Sequence, residues 1–129
     1  MQQNSLYPVI RTSSKPRRVV INISGEIFET FFNTLARFPM TLLGDKRKWV
    51  KHYCQYKQQF FFERNRLCFE SILFFYQSNG TLNCPMGVSI DLFEQECRFF
   101  ELPRKFIDQM KRDEGTYYTF FLARDLPIE

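Results

Sequence analysis

The chain has little of what catalytic and metal sites are usually built from. It holds a single histidine, His52, among 129 residues. Its 5 glycines are scattered, so no glycine-rich loop is there to cradle a phosphate. None of its 4 cysteines stands in a Cys-x-x-Cys pair, and His52 with Cys54 is the one close pair of metal-type ligands. That spacing is poor for a zinc finger, although spacing leaves open a site shared between chains. No apolar run approaches the roughly 18 residues needed to cross a bilayer. The chain as given is therefore expected to be soluble, either by itself or as the soluble part of a membrane protein. No secretory signal is present, and Cys68 and Cys97 fall in helical apolar patterns. Buried free thiols and a reducing compartment are the expectation.

These shortages weigh against an enzyme. If residues 52–54 are a strand, His52 and Cys54 share a face and a base lies beside a thiol. A surface histidine beside a half-buried thiol is the simpler reading. Carboxylate pairs occur as Glu94 with Glu96 and Asp113 with Glu114, expected to be solvated helix faces. No catalytic residue, cofactor or metal ligand is assigned.

What is abundant is phenylalanine, 16 residues in a chain that is 44% hydrophobic and 25% charged. The length suits one domain with a real core. A small domain rarely buries so many rings by itself, so some aromatic surface is expected to be covered by a partner. The net charge is +4, concentrated in Arg11 to Arg18 and Lys46 to Lys57. Lys46, Arg47, Lys48 and Lys51 fit a solvated loop as well as a nucleic-acid patch, and no nucleic-acid partner is inferred.

Residues 1–17 read as a flexible leader. Arg18 to Ser24 is a β-branched strand with Val19, Ile21 and Ile23 on one face; Ser24-Gly25 turns it, and Glu26 to Thr30 returns. Phe31, Leu35 and Phe38 form a helical stripe ended by Pro39. Thr41 to Gly44 is a helical turn, followed by a basic loop to about Lys51. Residues 53–63 are strand-like. Asn65 caps a central helix over 66–78, with Phe74 and Phe75 widening its apolar stripe almost all round. Thr81 to Asn83 reads as a brief strand. Ser89 caps a further helix, and Pro103 opens the last one, closed by Gly115. Residues 116–129 read as a linker leaving the domain. The result is an α+β domain over 18–115, a small sheet covered by helices.

The stretch Phe61-Phe62-Glu63-Arg64-Asn65-Arg66 carries most information. Three charges and an amide are wedged between two apolar elements. They either pair within the chain, Glu63 with Arg66, or meet the same patch on a neighbouring copy. A head-to-tail contact of that kind closes into a ring. The residues alone leave both open.

Several segments resemble a known family when taken in order. They are Arg18 to Gly25, Phe28-Glu29-Thr30, Thr34-Leu35-Ala36, Phe38-Pro39, Thr41 to Gly44, Phe61-Phe62 to Arg66, Ile72-Leu73, Tyr76-Gln77-Ser78 and Asp113 to Gly115. Together they resemble the cytoplasmic tetramerisation domain, of BTB/POZ fold, of Shaker-type voltage-gated potassium channels. The resemblance covers about residues 17–115, and Arg124 to Pro127 resembles the linker toward the first membrane helix. It implies a ring of four identical or related channel subunits on the cytoplasmic side of the plasma membrane, which selects who co-assembles. Carried over by position, Thr30, Glu63 and Arg66 lie at the subunit contact, with Arg64 and Asn65 in the same motif. Non-Shaker relatives share an interfacial zinc; here Ile107 to Lys111 has no cysteine at the matching place.

The departures are informative. A polar stretch after Phe28-Glu29-Thr30 becomes Phe31-Phe32-Asn33, near the expected contact. A change there suggests a subunit that favours mixed tetramers. Glu63 stands where aspartate is usual. After Phe99 to Leu102 come Pro103-Arg104-Lys105, which reverses the local charge and counts against docking of the channel β subunit. A second reading from another class is a BTB adaptor of a cullin ubiquitin ligase.

Overall fold

The computed structural model describes residues 17–125, with 116–125 as helical backbone. Strand β1 (Arg18–Ile23) and strand β2 (Glu26–Phe31) form an antiparallel hairpin, Arg18 opposite Phe31 and Ile23 opposite Glu26. Ser24 and Gly25 connect them with φ of 49° and 105°. Two successive positive φ values are what a two-residue turn needs to match the strand twist, and glycine supplies the second without strain.

The chain then crosses the sheet. Helix α1 (Phe32–Leu35), helix α2 (Lys46–Trp49), a 3-10 turn (Val50–His52) and the edge strand β3 (Tyr53–Cys54) lead to β4 (Gln59–Phe62). Strand β4 lies parallel to β1, giving the order β2-β1-β4-β3. A parallel neighbour requires such a long crossover. Helices α3 (Arg66–Gln77), α4 (Ile90–Phe99) and α5 (Arg104–Asp125) complete the described chain.

Alternation along β1 puts Val19, Ile21 and Ile23 inside, all buried. Helix α3 lies beneath them with Phe69, Ile72, Leu73, Phe75 and Tyr76 buried. Rings link the elements: Phe28 meets Phe69 at 5.0 Å, Phe69 meets Phe100 at 5.2 Å, and Phe38 meets Phe75 at 4.4 Å. Each fully buried ring contributes about 1.5–3 kcal/mol. Many of the phenylalanines are thus housed within the chain.

One polar cluster is built into the core. The Tyr76 hydroxyl donates to Thr41 Oγ1 (2.6 Å), which accepts from Gly44 N (3.0 Å) and donates to the Phe38 carbonyl (2.7 Å). Burial pushes the Tyr76 phenol well above its ordinary range. Gly44 is required by close approach, since a Cβ there would lie 1.9 Å from the Phe38 carbonyl oxygen.

The structure departs from the sequence reading in local ways. Phe31 ends β2 opposite Arg18 instead of opening a helix, so Phe31, Leu35 and Phe38 share no helical face. The basic loop folds partly into α2, because Asp45 Oδ1 accepts from Arg47 N (3.0 Å) and Trp49 is buried. Residues 53–63 break at a turn where Gln58 has φ of 54°. Thr81 to Asn83 is no strand; its backbone is held locally, with Thr81 N donating to Ser78 Oγ at 3.0 Å, and Leu82 is buried. Phe74 is 49% exposed, so α3 is not apolar all round. Helix α5 runs through Gly115, whose cost in a helix is only about 1 kcal/mol. The expected leader falls on residues outside the described ones, apart from Arg17. The expected linker is helical to Asp125, and its last residues are also outside them.

Candidate assembly surface

The charged stretch sits where β4 hands over to α3. Phe62 is buried as the last residue of β4. Asn65 then caps α3, its Oδ1 accepting from Cys68 N at 2.8 Å. Around these fixed points Glu63, Arg64 and Arg66 part ways.

Arg64 turns inward. Its Nε donates to Glu96 Oε1 (3.1 Å) and its Nη2 to Glu96 Oε2 (2.6 Å). Its guanidinium carbon also lies 4.0 Å from the Phe99 ring centroid. Glu96 is 6% exposed, which corrects the expectation of a solvated Glu94–Glu96 face. Glu94 is likewise paired: its carboxylate is held below the ordinary range by Lys111 and Arg98. Arg64 is therefore spent on holding α4 against the junction.

Arg66 stays at the surface. Its Nε and Nη2 both donate to the Ser24 carbonyl, at 3.1 and 2.8 Å. Ser24 reciprocates, its Oγ donating to the Arg64 carbonyl (2.8 Å) and its N to the Phe62 carbonyl (2.9 Å). The hairpin turn and the junction become one unit. Glu63 is exposed, and among the described residues it has no ion-pair partner. The Glu63–Arg66 pair within the chain is not formed.

Beside this junction, among the described residues, the outer face of the sheet carries no helix. The outward positions are Arg18, Val20 and Asn22 of β1, Ile27, Glu29 and Phe31 of β2, and Phe61 of β4, placed there by register. Asn22 lies between Ile27, 49% exposed, and Phe61, 44% exposed; Phe31, 44% exposed, completes the apolar part. The polar groups of this face satisfy one another: Asn22 Nδ2 donates to Gln59 Oε1 (2.8 Å), and Arg18 pairs with Glu29. An apolar stripe with a self-satisfied polar frame is inexpensive to desolvate.

The expected contact residues thus divide. Phe31, Asn33, Glu63 and Arg66 are exposed, and Phe31 shares the open face with Phe61. Phe32 is half-buried against Trp49, with Lys46 Nζ 4.3 Å from its ring centroid. Thr30, opposite Val19 on the inner face, is 7% exposed. The sequence reading passes over Ile27 and names Phe61 only within its motif, not as a contact residue, although strand alternation places both outside. Glu96 escaped it too, because nothing local marks which acid of a helix meets a distant arginine. Among the described residues no three His, Cys, Asp or Glu side chains gather as a metal site.

Comparison with known proteins agrees with this architecture. The BTB/POZ domain family matches residues 19–110. The Shaker-related potassium channel tsha2 of Oncorhynchus mykiss is 50% identical over 98 residues, 76% of this chain and 20% of that protein. Potassium voltage-gated channel subfamily A member 2 of Mus musculus is 48% identical over the same share of each. Subfamily A member 5 of Oryctolagus cuniculus is 46% identical over 77% of this chain and 17% of that protein. The chain matches about a fifth of the length of these relatives. A small mixed sheet covered by helices, with matches of this extent, shows that the chain belongs to the BTB/POZ domain family and is similar there to Shaker-related potassium channel subunits.

Proposed function

We propose that this chain is the assembly module of a voltage-gated potassium channel subunit. Four copies, or copies of related subunits, meet head to tail in a ring on the cytoplasmic side of the plasma membrane, and the fit between them selects who combines. The observation that supports this most is the open sheet face bearing Ile27, Phe31 and Phe61 beside the fixed charges of Glu63 and Arg66. A repeated contact between unlike patches closes into a ring, and apolar area with flanking charge gives it both affinity and register. The relatives named above are channel subunits, which favours this reading over a ubiquitin-ligase adaptor.

Phe31, Phe32 and Asn33 replace a polar stretch where the family resemblance places the contact; Phe31 lies on the open sheet face and Phe32 is half-buried against Trp49. They favour mixed over uniform tetramers, through a surface that fits a related subunit better than its own copy. Arg104 and Lys105 are exposed beside Pro103, and no docking of a channel β subunit is proposed. Sedimentation of the chain, alone and mixed with a Shaker-type domain, tests the proposal. A tetramer in either sample supports assembly, and one formed only in the mixture supports the mixed form. A monomer in both overturns the assembly reading.

A further inference from the structure

A pocket of about 330 Å³ opens where β1 begins, against α1 and α2. This lies within the size range of small-ligand sites. Its inner wall is a stack of rings. Trp49 lies between Phe32 and Phe60, with ring centroids 6.1 and 4.2 Å away and ring planes 11° and 19° apart. Its charged lining is of one sign among the described residues: Arg17, Arg18 and Lys46 contribute to it, and no Asp or Glu does. Arg18 is already paired with Glu29, which leaves Arg17 and Lys46 to meet an anion. Trp49 is 3% exposed, and its indole N–H has no acceptor among the described residues. The N–H atom is itself enclosed, so Trp49 backs this wall instead of reaching into the pocket.

We propose that the pocket binds a small carboxylate with a flat apolar body, of the arylalkanoate class. The body lies against the Trp49–Phe60 stack. The carboxylate pairs with Lys46 and Arg17. Flat rings against rings supply the apolar contact, and two cations at one mouth favour an anionic head over a neutral one.

The chain has one tryptophan, at the wall of this pocket, so its fluorescence reports on it. The 129-residue chain is titrated with 4-phenylbutyrate and, separately, with the uncharged 4-phenylbutanamide. A saturable change in Trp49 emission is expected with the carboxylate, and binding of the amide about tenfold weaker. Lys46→Gln and Arg17→Gln, both at exposed positions, are each expected to weaken the carboxylate several-fold. Both should leave the amide and the thermal melt unchanged. No saturable change up to the solubility limit overturns the proposal. Equal binding of carboxylate and amide, or binding indifferent to both substitutions, does so as well.

Discussion

Arg64 and Glu96 meet through two near-parallel hydrogen bonds across 32 positions of sequence, joining the start of α3 to the middle of α4. The pair is largely enclosed, with 28% of the Arg64 side chain and 8% of the Glu96 side chain exposed. Removing one partner leaves the other charge half-buried and unmatched. Glu96→Ala is expected to cost about 2–3 kcal/mol in urea unfolding. A loss below about 0.5 kcal/mol would make this an ordinary surface pair.

The Tyr76–Thr41 contact allows a gentler test of the core. Tyr76→Phe removes the hydroxyl, while Thr41 Oγ1 keeps Gly44 N as a donor. The expected loss is about 1 kcal/mol. Gly44→Ala places a methyl group against backbone rather than a yielding side chain, and is expected to prevent folding. Chemical denaturation of the first variant and soluble yield of the second check both.

Much of this fold is legible in local sequence, and the reason is physical. The β1–β2 hairpin rests on alternation and on a Ser24-Gly25 turn that few residues can make. The starts of α3 and α4 rest on Asn65 and Ser89, each of which accepts a backbone hydrogen bond as a cap should. What stayed hidden was tertiary. The parallel pairing of β4 with β1, the burial of Trp49 and the inward turn of Arg64 depend on partners far away in sequence. The candidate surface was half legible for the same reason. Glu63 and Arg66 stood out as charges between apolar elements. Ser24, which accepts from Arg66, lies 42 positions earlier.

Phe61 separates folding from assembly. It points away from the core, while its neighbours Phe60, half-buried, and Phe62, buried, pack on the inner face. Phe61→Lys is expected to leave unfolding free energy within about 0.5 kcal/mol of the parent, because the side chain is already open to water. The same change is expected to abolish assembly, read as sedimentation of a monomer. A variant that still assembles would show that the open sheet face takes no part.

The thiols should react in an order set by burial. Burial, with the Glu96 charge nearby, pushes the Cys68 thiol up to about 11. Burial drives the Cys97 thiol upward too, and more modestly that of Cys84, whose Sγ lies 3.3 Å from the Val88 carbonyl. A thiol held protonated is a poor nucleophile. Iodoacetamide at about pH 8 is expected to label Cys54, half-buried on the edge strand, before the others. Cys68 and Cys97 should react only on unfolding. Peptide mapping against time gives the order.

Arg66→Glu tests the assembly claim most directly. Arg66 is exposed and gives two donors to the Ser24 carbonyl, so its loss should cost the single chain only about 0.5–1.5 kcal/mol. The reversed charge then stands beside Glu63 on the proposed contact, where like charges repel. Sedimentation, alongside a thermal melt and with the related subunit where the parent needs it, is expected to show a tetramer becoming a folded monomer. A tetramer that persists with the fold intact, or a chain that melts while its assembly is unaffected, would contradict the account.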